Sequence, residues 1–70
     1  MIPLTFANNG ETYIIKRIGG NEELKHHLES LGFTVGTQIN IVNSLSGNVI
    51  VNIKESRVAI GKDMAAKIMI

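Results

Sequence analysis

The sequence predicts a mainly β domain: a small antiparallel barrel, or curled sheet, of five to six short strands, with one short α-helix over about 22–31 and a helical turn near 62–66. Three observations lead there. From Ile39 onward apolar and polar residues alternate, the period of a strand with one buried face. Turn formers interrupt the chain at short intervals, at Asn8-Asn9-Gly10, Gly19-Gly20, Gly36 and the "SLSG" stretch. Leucines at helical spacing occur in one place, Leu24, Leu28 and Leu31. Helical bundles and doubly wound folds do not fit this order of elements.

Met1 to Phe6 is mostly apolar, with Pro3 where a strand start or edge tolerates it, and the Asn8-Asn9-Gly10 turn closes it. Thr12 to Ile18 is dense in residues that suit a pleated surface and reads as a strand. Ile14 and Ile15 are adjacent and Ile18 lies three further on, which predicts a bulge near Lys16 or a strand buried partly on both faces. Asn21 is placed to cap the helix, Glu22 and Glu23 sit in its first turn where the dipole favours negative charge, and Gly32 follows Leu31 as a left-handed cap would. So short a helix is marginal alone, so its leucines must pack on the strands.

Ile39 and Ile41 share one strand face, and "SLSG" turns the chain. Val49, Val51 and Ile53 then share the next inward face, with Ile50 opposite. Lys54-Glu55-Ser56 makes another turn before a strand from Arg57 to Ile60. Gly61 to Ala66 forms a helical turn in which alanine allows close packing, and Ile68 and Ile70 return to the core. A last strand crossing back in this way is expected to close the sheet and reduce its exposed edge.

Seventy residues make one domain, in a size range where folding buries about 60% of the unfolded chain's surface. With no cysteine there is no disulfide and no thiolate metal site, so packing of Ile, Leu and Val carries the stability. Seven Lys/Arg against six Asp/Glu leave a formal charge of +1 and no concentrated basic face, which argues against nucleic acid as a partner. No apolar run approaches the roughly 20 residues that cross a bilayer. A cytoplasmic protein without membrane insertion is the expectation.

The segments "HLESLGFTVGTQINIV" and "VNIKESRVAIGKDMAAKIMI" resemble the ferrous iron transport protein A family, FeoA, and more distantly the SH3-like C-terminal domain of DtxR-type metal-dependent repressors. The resemblance covers nearly the whole chain. It rests on Leu28, Leu31, Gly32, Gly36, Ile39, Ile41, Val58, Ile60, Ala65, Ile68 and Ile70: a helix ending in Leu-Gly, a glycine before the next strand, and an alanine-bearing turn before an Ile-x-Ile strand. Val35 stands where many relatives carry proline, and the "NSLSGN" loop is short. The resemblance implies an SH3-like barrel and a non-enzymatic cytosolic accessory protein of ferrous iron uptake. Its expected partner is a FeoB-like membrane transporter with a cytosolic GTP-binding domain, which would hold it peripherally at the inner face of the membrane.

Catalysis has no support in the residues. Histidines occur only as a pair on the helix, serines are scattered, and Asp63 is the lone aspartate, so no triad can be defended. The glycines of "RIGGNEE" lack the lysine and spacing of a phosphate loop. Glu22, Glu23, His26 and His27 are the only metal-ligand candidates. Glu23 lies i,i+3 from His26 and i,i+4 from His27, within reach on a helix, but the two histidines point about 100° apart. A solvated helix face is the simpler reading, any hold on Fe2+ or another divalent ion would be weak, and no cofactor is expected.

Residues with no evident core role are open to two readings: Leu45 plugs a barrel end or anchors in a partner pocket, Ile50 and Met69 cover the helix on the curled sheet or form an exposed dimer or partner patch, and Arg57, Lys62 and Lys67 serve solubility and edge protection or a docking edge. Leu45 is an apolar residue in a turn expected to be polar, and Ile50 and Met69 face away from the inward residues of their strands. Arg57, Lys62 and Lys67 flank the closing strands and offer a modest positive edge to an acidic partner. Two other roles fit the same surface: a freestanding regulatory domain related to metal-dependent repressors, or a self-associating structural module that forms a homo-oligomer.

Overall fold

A computed structural model describes residues 1–70. Six strands and two helices follow in order: β1 (Thr12–Ile14), β2 (Arg17–Ile18), α1 (Glu22–Ser30), β3 (Gln38–Leu45), β4 (Asn48–Ile53), β5 (Ser56–Ile60), α2 (Lys62–Ala65) and β6 (Ile68–Met69). The strands form two antiparallel sheets, a larger one in the order β1-β3-β4-β5 and a smaller one pairing β2 with β6. This is an SH3-like arrangement, but neither sheet closes on itself. The expected barrel closure is therefore corrected: β6 pairs with β2 through Arg17↔Met69 and Ile18↔Ile68, and both edges of the larger sheet stay open.

Alternation on β3 and β4 builds the core. Ile39 faces Ile53 and Ile41 faces Val51 across the ladder, and all four are buried, as is Val49. Beyond Ile41 the register slips by one residue at Val42, a β-bulge that bends the hairpin. Leu28 and Phe33 fill the space over these strands, and Leu4, Ile15, Ile60, Ala65, Ile68 and Ile70 complete a core with no buried polar side chain. Leu24 and Leu31, half-buried, pack against it from α1.

Helix α1 begins with a side-chain cap and ends with backbone bonds around a glycine. The Asn21 side-chain oxygen accepts the Leu24 amide at 2.8 Å, satisfying one of the free donors of the first turn. At the other end the Gly32 amide donates to Glu29 O and the Phe33 amide to Leu28 O, both at 2.9 Å, with Gly32 at φ +102°. That pair of bonds is a Schellman cap, and its accompanying apolar contact joins Leu28 to Phe33, both fully buried. The helix end thus delivers Phe33 into the core.

The structure corrects the reading of Thr12–Ile18 as one strand. Ile15 exchanges backbone bonds with Thr37 O and the Gly36 amide, whereas the next amide, Lys16, donates to Met69 O at 2.8 Å. The chain therefore turns a corner at Ile15 and Lys16, leaving the larger sheet for the smaller one. Ile15 is buried at that corner while Ile14 stays largely exposed. The N-terminal stretch is not a strand either: Leu4–Phe6 is a 3-10 turn that buries Leu4, and only Pro3 makes a bridge, to Met69. Ile2 and Ile70 exchange two backbone bonds of 3.0 and 2.8 Å, which brings the two chain ends side by side.

Candidate functional site

The tip of the β3–β4 hairpin is built by a two-residue turn. Ser46 and Gly47 both have positive φ, 53° and 85°, as a type I′ turn requires. Leu45 is thus the last paired residue of β3, opposite Asn48, and not the middle of the turn. Its side chain is 72% exposed, the largest exposure of any large apolar residue in the chain. Nothing in the core needs it there.

Lys62, the first residue of α2, lies over the same turn. A Cβ on Gly47 would come within 2.6 Å of Lys62 Cδ, so the aliphatic stem of the lysine rests on the bare glycine backbone. This contact brings an exposed ammonium to the same corner of the molecule as Leu45. The base of the tip is tied down by asparagines. Asn43 Oδ1 accepts the Ser44 amide at 2.9 Å and Asn9 Nδ2 at 3.2 Å, joining the loop before β1 to the hairpin.

Of the other predicted docking residues, Ile50 is the one that adjoins Leu45 on the same sheet face, since Leu45 pairs with Asn48 and Asn43 with Ile50. Ile50 and Arg57 lie on the outer face of the larger sheet, where Ile50 pairs with Ala59 and Arg57 with Asn52. Ile50 is half-buried, and Arg57 Nε donates to Asn52 Oδ1 at 3.3 Å, which turns the guanidinium back over β4. Lys67 and Met69 line a separate shallow groove of about 460 Å³ with Met1, Arg17 and Ala66. Leu45, Ile50 and Arg57 therefore share the outer face of the larger sheet, Lys67 and Met69 line a separate groove, and Lys62 stands beside the turn at Gly47.

On α1 the side chains that approach each other are Glu22 and His26, one turn apart at 3.9 Å and both well exposed. Glu23 and His27 instead border a shallow depression of about 390 Å³ with Asn21 and Leu24. No three His, Cys, Asp or Glu side chains converge anywhere on the molecule. These four residues present a solvated face.

Phe6 and Val35 are among the exposed apolar residues that escaped the sequence reading. Phe6 is 70% exposed at the end of the 3-10 turn, and Val35 is 64% exposed beside a groove of about 530 Å³ that Lys16, Arg17, Lys25 and Glu29 also line. Val35 had a signal: an apolar residue between Thr34 and Gly36, in a segment with no strand period, has no inward side to point to. Phe6 had none, because an apolar run ending in a turn is equally well read as a strand.

Comparison with known proteins gives a consistent picture. A family model described as the FeoA domain matches residues 2–70. A protein of Methanocaldococcus jannaschii named "Putative Fe(2+) transport protein A" is 37% identical over 70 residues, which span 100% of this chain and 85% of that protein. Among solved structures, an iron uptake regulatory protein, FeoA, superposes with a TM-score of 0.87 at 31% identity, covering 96% of this chain and 89% of the other. The solution structure of iron(II) transport protein A from Clostridium thermocellum gives 0.89 at 26% identity, over 97% of this chain and 43% of that one. A manganese-dependent transcriptional repressor in complex with manganese shares the fold, at 0.87 and 19% identity, over 96% of this chain and 34% of its own.

Proposed function

The chain belongs to the FeoA family, and from that premise we propose that it acts by docking the tip of its β3–β4 hairpin onto a FeoB-like ferrous iron transporter with a cytosolic GTP-binding domain. Family membership itself carries the broader statement: a non-enzymatic accessory or regulatory role in ferrous iron transport. No helix of the chain is long and apolar enough to cross a membrane, so any hold on a transporter is through the protein surface.

The observation that supports this surface is Leu45, exposed at the end of the β3–β4 hairpin, whose turn glycine Gly47 carries the stem of Lys62. An apolar anchor that enters a partner's pocket contributes most of its affinity through desolvation, and a flanking charge sets register and encounter rate. The hairpin is suited to that task because its turn and the Asn43 contacts fix Leu45 before the partner arrives, which lowers the ordering cost of binding. Docking of this kind would place the protein peripherally at the cytosolic face of the membrane.

The test is binding of the purified protein to the detergent-solubilised transporter and to its isolated cytosolic domain, with GTP, with GDP and without nucleotide. Saturable binding that Leu45→Asp weakens at least about tenfold, without changing the unfolding midpoint, is the expected result. Equal affinity of the two proteins would move docking to another patch, and the absence of binding in every nucleotide state would overturn the reading.

A further inference from the structure

The outer edge of β5 is an unpaired strand edge, and we infer that it pairs antiparallel with the β5 of a second copy, joining two larger sheets into one. The inference goes beyond transporter docking and does not depend on it. It starts from the β4–β5 hairpin, whose turn of Lys54 and Glu55 leaves Ile53 and Ser56 opposite one another. Such a turn makes the flanking residues a hydrogen-bonded pair, and bonded and non-bonded pairs then alternate along the ladder. Ser56, Val58 and Ile60 thus spend their backbone groups on β4, and those of Arg57 and Ala59 point outward. No backbone bond from Arg57 or Ala59 to any turn, loop or cap exists.

The usual protections of an edge are missing here. β5 contains no proline and no bulge, and its ladder with β4 runs without a register shift. Its single charge, Arg57, is held by Asn52 over the neighbouring strand, and not out across the edge. The other open edge, β1, is three residues long, and the chain abandons it at Ile15 to enter the smaller sheet. β5 offers five residues in one straight run.

A two-fold axis through Val58 is the register this edge favours. It sets Arg57 opposite Ala59 of the second copy, and Ala59 opposite its Arg57, so both outward residues on each strand find partners and four backbone bonds form, one for each of two N–H groups on each of two chains. The small alanine leaves room for the arginine that faces it. The register with Arg57 opposite Arg57 places like charges together, which destabilises a cross-strand pair. The register with Ala59 opposite Ala59 sets Arg57 against Gly61, whose carbonyl already accepts the Ala65 amide at 2.9 Å. A formal charge of +1 per chain gives little long-range repulsion between copies. The antiparallel arrangement sends the two hairpin tips to opposite ends of the joined sheet, leaving each Leu45 free.

Sedimentation equilibrium of the purified full chain, from micromolar to millimolar concentration and without any transporter, tests this directly. The apparent mass should rise toward twice the 7.6 kDa of the single chain. In parallel, amide exchange at Arg57 and Ala59 should slow by at least about tenfold at the high concentration, with that of other exposed amides unchanged. Ala59→Pro deletes an outward N–H that β4 does not use, a substitution edge strands tolerate, and should keep the protein monomeric throughout. Ile14→Pro, which does the same to the β1 edge, should leave dimerisation intact. A wild-type chain that stays monomeric at millimolar concentration, exchange at Arg57 and Ala59 that ignores concentration, or a dimer unaffected by Ala59→Pro would each overturn the inference. The wild-type exchange measurement decides the matter even if a proline variant does not fold.

Discussion

Below Val42 the β3–β4 hairpin is core, with Ile39, Ile41, Val51 and Ile53 all buried; beyond it Asn43, Ser44 and Leu45 are exposed and the ladder continues with nothing beneath it on the β3 side. One pair of strands thus does two kinds of work. The basal half holds the molecule together by burial, and the distal half holds its own shape by turn geometry, by the Asn43 contacts and by the stem of Lys62. The bulge at Val42 separates them, because a one-residue slip re-aims every side chain beyond it. A small domain can therefore present an apolar residue without weakening its core, provided the presenting segment is stabilised locally.

Substitutions along the hairpin should expose that division as a falling series. Ile41→Ala, in the basal half, leaves a cavity and should cost about 3 kcal/mol in denaturant unfolding. Domains of this size are stable by roughly 0.05–0.15 kcal/mol per residue, so this one change should bring the chain close to unfolding. Gly47→Ala should cost about 1–2 kcal/mol, because an alanine there must hold a left-handed backbone and push Lys62 aside. A double-mutant cycle with Lys62→Ala separates the two causes: backbone strain survives loss of the lysine, and the steric part does not.

Asn43→Ala removes the acceptor for the Ser44 amide and for Asn9, and should cost about 0.5–1 kcal/mol, since both groups can turn to water. Leu45→Asp should change stability by less than about 0.5 kcal/mol, the usual range for an exposed position, while it weakens docking. A large stability loss at Leu45 would erase the contrast between the two halves. A small loss at Ile41 would do the same from the other side.

How much of this was legible in the sequence follows from the range of the interactions. Helix α1 could be read to within a residue, because Asn21, the leucine spacing and Gly32 are local signals and each makes the contact its chemistry implies. The inward residues of β3 and β4 were equally plain, since alternation with a period of two needs no knowledge of the partner strand. The irregularity near Lys16 was legible from the adjacent Ile14 and Ile15, but that the chain changes sheets there was not, because the destinations of Ile15 and Lys16, Thr37 and Met69, are set by distant parts of the chain.

Barrel closure failed for the same reason, because β6 could satisfy its backbone on β2 as readily as on a sheet edge. The docking candidates were chosen for lacking a core role, which selects surface residues but says nothing of which are neighbours. Tertiary structure alone separates Leu45, Ile50 and Arg57, on one outer sheet face, from Lys67 and Met69 in their groove. The hairpin tip itself was misplaced by one residue: reading Leu45 as turn overlooked that Ser46-Gly47 suffices for a type I′ turn.

The paired backbone of Ile2 and Ile70 bears on how such a unit can be used in larger polypeptides. Entry and exit share one point, so the folded body hangs from a host chain as if by a single stalk, and neither flanking segment has to wrap around it. Splicing it before, after or within other sequence costs little geometric adjustment, and the manganese repressor in which the same fold matches only 34% of the chain shows it carried as one part of a longer protein. The same wiring makes circular permutation feasible: a short linker between the ends, with a new opening at Lys54-Glu55, would preserve the core and set the β5 edge at the new start of the chain.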